Sequence, residues 1–592
     1  MANFIAVIDP DPGVRGRFTE QARGAIAHFP GVVVRDISCP NFSAIWATHA
    51  RAPVTSATIE DRAALVLGDA IDGPGSGRVT AGELAARTWS SDEDVPGPSD
   101  GYFAALQYST GEGLRVWADI LGFYPVYYWS NGEVALVGSS PELFRYHPRF
   151  ERKISLEGLA GVLLINGLVN NTSLFEGVRR LAAGHVLVVA PHGRPTAERQ
   201  HYRIPLSHEL ADFGADDLVA EFGDTLERTC RRHAAIDGKA SLLLSGGLDS
   251  RVIAACAQRG GCSLTAVTFG KSGEQEMRLA WGVGTALGLT HHAIDDSATA
   301  PVEAAVMKAR WEHMANGFYR GTRWGMPVEL AELPQPILGG FAMDFIAGPK
   351  KMQAARIAAS GGDPFARQFE RQSRWGIGSD NIDPLLKTSG LATRLRDVLR
   401  EAYWSNSPHP AKTQWAHSIR HRARYHLGSM AWQIAMVSWP AFPVLDRELL
   451  GLIAAMPMAA MSNRRLETDV LLGRFPVLAS LPLDRNSHDT QPINPRLKYL
   501  VAEAVLRRLP WRPSPEVLYY SRLADFNGPA WKAIRVEAER YRGLVEEFLE
   551  PESLTRLLPG PERNVDVRDP IIESNGKRLL LGLILWTRES FS

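Results

Sequence analysis

The chain has 592 residues, of which 45% are hydrophobic, so it is long enough for several domains that each bury a core. Lys and Arg together number 65, as do Asp and Glu, and this zero net charge argues against general nucleic-acid binding, which needs a basic surface, while it leaves a local basic patch open. The four cysteines, Cys39, Cys230, Cys256 and Cys262, lack the spacing of a zinc site or a disulfide framework and indicate a reducing compartment.

The start of the chain, MANFIAVIDPDPGVRGRF, lacks the basic residues and the apolar core of a signal peptide. No apolar stretch reaches the length of about 18 residues that a membrane-spanning helix needs. We therefore expect a cytoplasmic protein with no membrane segment.

Residues 1–205 have the pattern of a β-rich domain. Short runs rich in aromatic and β-branched residues are separated by turns, one of which is Ser130-Asn131-Gly132. The predicted strands are GYFAALQYS, LRVWADI, VYYWS, EVALVGS and HVLVVAP, and SDEDVPGPSDG is predicted to be an exposed loop.

Residues 206–592 have a different pattern, in which helices and strands alternate. The helix DDLVAEFGDTLERTCRRHAA is followed by the strands ASLLLSGG, SLTAVTFG and THHAID, with the helices RVIAACAQRGG and EQEMRLAWGVGTALGL between them. This alternation predicts a doubly wound parallel sheet, which binds ligands at the carboxyl ends of its strands. Beyond about Lys350 the chain is predicted to be mostly helical.

The stretch SLLLSGGLDSRVIAACA places two glycines where a predicted strand meets a predicted helix. Gly246 and Gly247 permit a tight turn and uncover backbone N–H groups at the helix N-terminus, where the helix dipole favours an anion. Ser245 and Ser250 add hydroxyl donors, so the loop is suited to phosphate. Asp249 would repel phosphate unless a Mg²⁺ ion lies between them. A plain strand–turn–helix corner is the alternative.

The string S-G-G-L-D-S resembles the pyrophosphate loop of the ATP pyrophosphatase superfamily, whose members cleave ATP between the α and β phosphates. Over nearly its whole length the chain is similar to the asparagine synthetase B family. ADILGFYPVYYWSNGEVALVGSSPELF and NNTSLFEGVRRLAAGHVLVV resemble the amidotransferase domain of that family, and AVTFGKSGEQEMRLAWGVGTALGLTHHAI, ILGGFAMDFIAG and WPAFPVLDRELL resemble its synthetase domain.

The resemblance implies an α/β protein of two domains. Residues 1–205 are expected to form an Ntn-hydrolase-like, glutaminase-type domain. Residues 206–592 are expected to form a doubly wound PP-loop ATP pyrophosphatase domain with a helical insertion.

The resemblance also implies a site for ATP and Mg²⁺. Asp249 and Asp344 are expected to hold the metal, although helix capping is the alternative role for Asp344. Adenine is expected to lie between Leu243 and Val267, on neighbouring strands. The residues expected to contact the nucleotide are Leu243, Ser245, Gly246, Gly247, Leu248, Asp249, Ser250, Val267, Glu276, Gly339 and Gly340.

A lysine in the late R-x-K segment of the family stabilises the transition state, and this chain has Ser487 at the corresponding position, two residues past Arg485. Arg485 and Lys498 are the candidates to replace that lysine. A surface ion pair is an equal alternative role for either residue.

Ala2 is a departure from the family. Members that hydrolyse glutamine have a cysteine directly after the initiator methionine, and its thiol is the nucleophile. The nearest cysteine here is Cys39, which is expected to be a small core residue. The first domain is therefore expected to keep its fold without glutaminase chemistry, and an amine other than ammonia must attack.

Phe341 is a second departure. β-Lactam synthetases have a tyrosine at this position and pair it with a glutamate, whose region aligns near Trp439, and asparagine synthetases have a glutamate at the Phe341 position. Phe341 cannot relay a proton. The long segment between Asp344 and AFPVLD includes the aromatic and basic stretches QFERQSRWGIG and WAHSIRHRARYHLGSMAW. We expect it to form a helical wall around a peptide-sized substrate, with a stabilising insertion as the alternative.

These departures favour a lasso peptide cyclase, which closes a macrolactam between the N-terminal amine of a peptide and an Asp or Glu side chain. The expected partners are a precursor peptide, a leader-binding protein and a leader peptidase. A β-lactam synthetase-like or other small-molecule amide synthetase is the alternative, and a catalytically silent scaffold is a third hypothesis.

Overall fold

The computed structural model describes residues 3–591 apart from positions 28, 30, 74, 76, 208 and 236 and the segments 90–94, 296–301, 319–326, 350–353, 406–408, 485–490, 494–500, 502–504, 506–524 and 568–571. Within these described residues, no helix combines the length and the apolar character needed to span a bilayer.

Two six-stranded antiparallel sheets form the N-terminal domain. The strand orders are β10-β8-β9-β1-β3-β2 and β12-β11-β7-β6-β5-β4. The strands are β1 Asn3–Ile8, β2 Val32–Cys39, β3 Phe42–His49, β4 Val54–Ile59, β5 Arg62–Gly68, β6 Phe103–Ser109, β7 Gly113–Ala118, β8 Tyr127–Ser130, β9 Ala135–Gly138, β10 Arg179–Arg180, β11 His185–Val189 and β12 Pro195–Gln200. The helices are α1 Pro12–Ala27, α2 Ala81–Ala86 and α3 Leu156–Ile165.

Strand β1 shows why the two sheets stack between helices. Its side chains alternate between faces, as in any strand. Phe4, Ala6 and Ile8 belong to the core cluster shared with the second sheet, whereas Ile5 and Val7 belong to the cluster formed with α1 and α3. All five are almost fully buried. Helix α2 covers the outer face of the second sheet, so the layers are helix, sheet, sheet, helix.

A five-stranded parallel sheet follows, in the order β15-β14-β13-β16-β17. Its strands are β13 Lys239–Leu243, β14 Ser263–Phe269, β15 Thr290–Ile294, β16 Ile337–Gly339 and β17 Pro440–Ala441. The strand order reverses direction at β13, which confirms the predicted doubly wound sheet.

Helices surround this sheet and continue to the end of the chain. They are α4 Ala215–His233, α5 Leu248–Arg259, α6 Gln275–Ala286, α7 Val302–Glu312, α8 Met343–Ile346, α9 Ala354–Ala359, α10 Pro364–Ser373, α11 Ser379–Leu385, α12 Leu391–Trp404, α13 Pro410–Ser418, α14 Arg424–Ile434, α15 Arg447–Ala455, α16 Met458–Met461, α17 Arg465–Arg474, α18 Pro476–Ala479, α19 Pro529–Glu539, α20 Pro551–Leu557 and α21 Glu573–Phe591. A π-helical stretch, Ile419–Ala423, joins α13 to α14.

The aromatic and basic segment around α13 and α14 packs inside the protein. Trp415, His417 and Arg424 are all at least 96% buried. Trp415 Nε1 donates to the carbonyl of Ile346, at 3.1 Å, and so supports α8. Arg424 Nη1 donates to Asn171 Oδ1 of the N-terminal domain, at 2.7 Å. These side chains stabilise the fold, so the expectation that they line a wall around a substrate is wrong for them.

Candidate active site

The site lies where the parallel sheet changes direction. Strands β13 and β16 are neighbours, and Leu243 pairs with Gly339 in their register. The loops that follow both strands therefore leave the same edge of the sheet side by side. A crevice outside the carboxyl ends of the strands at such a switch point is where doubly wound sheets bind ligands.

The first of these loops is braced by its own serine hydroxyls. Ser250 Oγ accepts a hydrogen bond from Ser245 N, at 3.0 Å, and lies 2.9 Å from Ser245 Oγ. Ser245 Oγ also accepts from Gly247 N, at 3.2 Å. The two hydroxyls thus hold the turn that leads into α5, which begins at Leu248.

The glycines of the site permit close packing. A Cβ atom on Gly246 would lie 2.7 Å from Leu279 Cβ, and one on Gly340 would lie 2.8 Å from Ser250 N. Gly247 has φ of −79°, a value open to any residue. Close packing is therefore the reason for glycine at these two positions. Helix α6 approaches the first loop at Gly246, and the second loop approaches the start of α5 at Gly340.

The residues predicted to flank adenine lie together at this edge. Leu243 and Val267 are direct partners between β13 and β14. Val267 is 1% exposed, and its carbonyl accepts from Leu244 N, at 2.8 Å. Glu276 lies in the first turn of α6, which starts beyond the carboxyl end of β14.

Both predicted metal ligands lie at the starts of helices that face the crevice. Asp249 is in the first turn of α5, and Asp344 is in the first turn of α8. The packing of Gly340 against Asp249, with a Cβ at 3.1 Å from Asp249 Cβ, brings the two loops together. In the described part of the chain, no group of three or more His, Cys, Asp or Glu side chains could hold a metal. Two carboxylates still suit Mg²⁺, since it commonly binds one or two of them together with substrate phosphates.

Arg251 is a residue of the site that the sequence analysis missed. Its guanidinium is fully buried and donates to the carbonyls of Pro482, at 2.6 Å, Leu478, at 2.9 Å, and Leu481, at 3.1 Å. Burial lowers its pKa to about 10. The sequence indicates this buried structural arginine by its position directly after S-G-G-L-D-S, within an otherwise apolar helix.

Asp484 also adjoins the loop. Its backbone N donates to the carbonyl of Gly246, at 2.9 Å, and its Oδ1 accepts from Gln275 Nε2, at 3.2 Å. Burial raises the pKa of the Asp484 carboxyl. Arg485 and Lys498, the predicted replacements for the family's lysine, lie outside the described residues, as does Ala2.

Neither Phe341 nor Trp439 provides an acid or a base for proton transfer. The Phe341 ring packs edge-on against Phe442, with centroids 5.7 Å apart. Trp439 is 1% exposed, and its Nε1 donates to the carbonyl of Tyr102 in the N-terminal domain, at 3.0 Å. Trp439 therefore belongs to the core between the two domains.

Comparison with known proteins agrees with this architecture. The family model "Asparagine synthase" matches residues 221–319, and the model "Glutamine amidotransferase domain" matches residues 90–202. Asparagine synthetase [glutamine-hydrolyzing] 3 of Bacillus subtilis (strain 168) is 26% identical over 167 residues, which cover 28% of this chain and 26% of that protein. The match thus spans about a quarter of the relative's length.

Solved structures with partial similarity include the allosteric regulatory enzyme of purine biosynthesis, with 9% identity, a TM-score of 0.22, and coverage of 51% of this chain and 81% of that one. NMN synthetase from Francisella tularensis has 18% identity, a TM-score of 0.17, and coverage of 36% and 97%. The NH3-dependent NAD synthetase from Campylobacter jejuni has 12% identity, a TM-score of 0.18, and coverage of 33% and 98%.

These TM-scores are too low to carry an argument. The two family matches and the strand topology define the fold. The fold is that of an Ntn-type domain followed by a PP-loop ATP pyrophosphatase-like domain, as the sequence predicts.

Proposed function

We propose that the protein is an ATP-dependent ligase that forms an amide bond through an acyl-adenylate. The observation that carries this proposal is the position of the S-G-G-L-D-S loop. It leaves β13 at the switch point of the sheet, beside the loop that carries Asp344. The match of residues 221–319 to the asparagine synthase family supports the same chemistry.

The proposed reaction overcomes the resistance of a carboxylate to amine attack. A substrate carboxylate oxygen attacks the α-phosphorus of ATP and pyrophosphate leaves. The amine then attacks the acyl carbon, AMP leaves with the bonding electron pair, and the amine loses a proton. Backbone N–H groups at the start of α5 would hold the pyrophosphate. Asp249 and Asp344 would hold Mg²⁺, which supplies charge neutralisation between the phosphates.

We further propose that the substrate is a lasso precursor peptide. Its Asp or Glu side chain would be adenylated, and its own N-terminal amine would close the macrolactam. Phe341 supports this assignment, because an apolar ring stands where the small-molecule branches have a tyrosine or a glutamate. An amine tethered to the acyl group relies less on a base, since intramolecular closure has a high effective molarity. A leader-binding protein and a leader peptidase are the proposed partners.

A small-molecule amide synthetase, β-lactam synthetase-like or of another kind, is the second candidate. The burial of Trp415, His417 and Arg424 favours this second candidate, because these side chains pack in the interior and do not line a peptide-binding wall. The two candidates differ in which carboxylate supports ATP–pyrophosphate exchange.

Two modified core peptides test the cyclase proposal. A peptide with an acetylated N-terminus should support labelled ATP–pyrophosphate exchange but form no ring, because adenylation needs only the side-chain carboxylate. A peptide with Asn or Gln at the ring-forming acidic position should show neither exchange nor loss of water by mass spectrometry. The unmodified peptide, with the leader-binding partner added, is the positive control. Ring formation from the acetylated peptide would contradict the proposal, as would exchange that depends on free amino acids.

We also expect no release of glutamate from glutamine. All four cysteines of the chain are buried, and burial raises the pKa of each thiol, so none supplies an accessible thiolate. Coupled detection of glutamate, against a heat-inactivated sample, measures this activity. Glutamate production above that control would show that the N-terminal domain has kept a hydrolytic nucleophile.

A further inference from the structure

Arg464 reaches the candidate site from outside every segment that the sequence motifs identified. It lies directly before α17, and its Nη2 forms an ion pair with Asp249 Oδ1. The same guanidinium pairs with Glu467 through both Nε and Nη2, the latter 3.1 Å from Glu467 Oε1. The side chain of Arg464 is 12% exposed, whereas that of Glu467 is fully buried.

The backbone holds Arg464 in an unfavourable conformation. Asn463 has φ of 61° and Arg464 has φ of 65°, so two consecutive residues with side chains adopt the left-handed region. Residues with side chains rarely adopt this region, and strain of this kind is concentrated at functional sites. Asn463 N donates to the carbonyl of Pro349, at 3.1 Å, which fixes this turn against the segment that follows α8.

Gly348 makes room for the arginine. A Cβ atom at this position would lie 2.8 Å from Arg464 Cδ and 2.5 Å from Glu467 Oε2. Gly348 follows α8, the helix that carries Asp344, so the guanidinium stands between the two helices that carry the proposed metal ligands.

Glu467 gives Arg464 an anchor that does not depend on Asp249. A fully buried carboxylate needs a paired cation, and Arg464 supplies it. If Asp249 turned to a Mg²⁺ ion, the pair with Glu467 would keep the guanidinium in place at the edge of the loop. A planar guanidinium is well suited to two phosphate oxygens.

We propose that Arg464 contacts the β- and γ-phosphates of ATP, and the pyrophosphate after it leaves, while it shields Asp249 in the nucleotide-free protein. The inference rests on the proposed function of the site. Arg464 would provide a cation from the start of α17. The later segment, in which the family has a lysine, has Ser487 at that position.

Calorimetric titration of Arg464→Met with three probes tests the inference. Binding of magnesium pyrophosphate and of Mg²⁺ with α,β-methylene-ATP should weaken by about tenfold to a hundredfold, as expected for the loss of a charged hydrogen bond. Binding of AMP should be unchanged, because AMP lacks both phosphates. Arg464→Lys should recover part of the affinity.

Arg465→Met is the matched control, since the neighbouring Arg465 is 57% exposed and pairs only loosely with Asp469, at 3.4 Å. This variant should bind all three probes like the wild type. Because Arg464→Met removes a cation that pairs with the buried Glu467, the double variant Arg464→Met/Glu467→Gln is included, and it should show the same selective loss of pyrophosphate affinity.

The titrations separate this inference from the function on which it rests. If Arg464 only shielded Asp249, Arg464→Met and the double variant would bind magnesium pyrophosphate as tightly as the wild type or more tightly, and the inference would be overturned. Equal weakening for AMP and pyrophosphate would indicate a merely structural role and would also overturn it. If the wild type bound none of the three probes, the proposed function itself would fail.

Discussion

Replacing Asp249 by asparagine is expected to reduce ATP–pyrophosphate exchange by about a hundredfold or more, without unfolding the protein. The side chain keeps its shape but loses the charge that would hold Mg²⁺ where negative charge accumulates. Arg464 keeps Glu467 as a partner, so the fold should tolerate the change. Asp344→Asn should have a comparable effect, since Asp344 lies in the first turn of the facing helix α8.

The assay is exchange of labelled pyrophosphate into ATP at saturating Mg²⁺, with the core peptide as the carboxylate substrate. Asp469→Asn is the matched control, because Asp469 is a partly exposed carboxylate on α17 that pairs loosely with Arg465, at 3.4 Å. It should retain wild-type exchange. Near wild-type turnover in Asp249→Asn or in Asp344→Asn would refute the metal-binding role of that residue.

Arg232→Met is expected to destabilise the protein by about 3–5 kcal/mol, because it removes the guanidinium that two buried carboxylates share. Arg232, on α4, pairs with Asp446 at 2.6 Å and with Asp100 at 2.8 Å. Asp100 belongs to the N-terminal domain and also accepts from Arg447 Nε, at 2.9 Å. One guanidinium therefore joins the two domains, and both should lose stability together.

Denaturant unfolding followed by tryptophan fluorescence and by circular dichroism measures this effect. Arg231→Met is the matched control, since Arg231 is the exposed neighbour on the same helix. The two probes should report one shifted transition for Arg232→Met. A shift no larger than that of Arg231→Met, or a shift in one of two separate transitions, would contradict the coupling.

The ion pair between Arg232 and Asp446 also predicts that the stability of the protein depends on pH. Burial raises the pKa of the Asp446 carboxyl, but the hydrogen bond and charge of His233 and the charge of Arg232 outweigh it, so the pKa lies below its usual value. A lowered carboxyl pKa contributes stability that is present at neutral pH and lost as pH falls through that pKa. The difference in stability between the wild type and Arg232→Met should therefore shrink in acid.

The local sequence pattern was sufficient to predict the helices and strands whose hydrophobic residues recur at regular spacing. Helix α4 shows this, since Leu218, Phe222, Leu226 and Cys230 recur four residues apart and all face the core. The predicted strands β6, β7, β8, β9 and β11 and the units β13, α5, β14, α6 and β15 are all present. The doubly wound sheet followed from this alternation, because parallel strands need crossover helices.

The S-G-G-L-D-S loop was the most predictable part of the site. Its glycines, hydroxyls and carboxylate are consecutive, and their position between a strand and a helix places them at the sheet edge. Asp344 could be aligned with it only through the family resemblance. The very short strands β16 and β17 have two or three residues each and carry no periodic signal.

By itself, the sequence determined the alternation of strands and helices from β13 to β15 and which consecutive residues form the phosphate-type loop. Only the tertiary structure decided which distant charges complete the site and join the domains. Arg464 reaches Asp249 across more than two hundred positions of the chain, and Arg232 reaches both Asp100 and Asp446. The aromatic and basic stretch around Trp415 suggested a wall around a substrate, but Trp415, His417 and Arg424 are buried. The reason is that burial and ion pairing depend on which surfaces meet in space, and composition alone does not distinguish a charged side chain that is neutralised inside the protein from one that faces solvent.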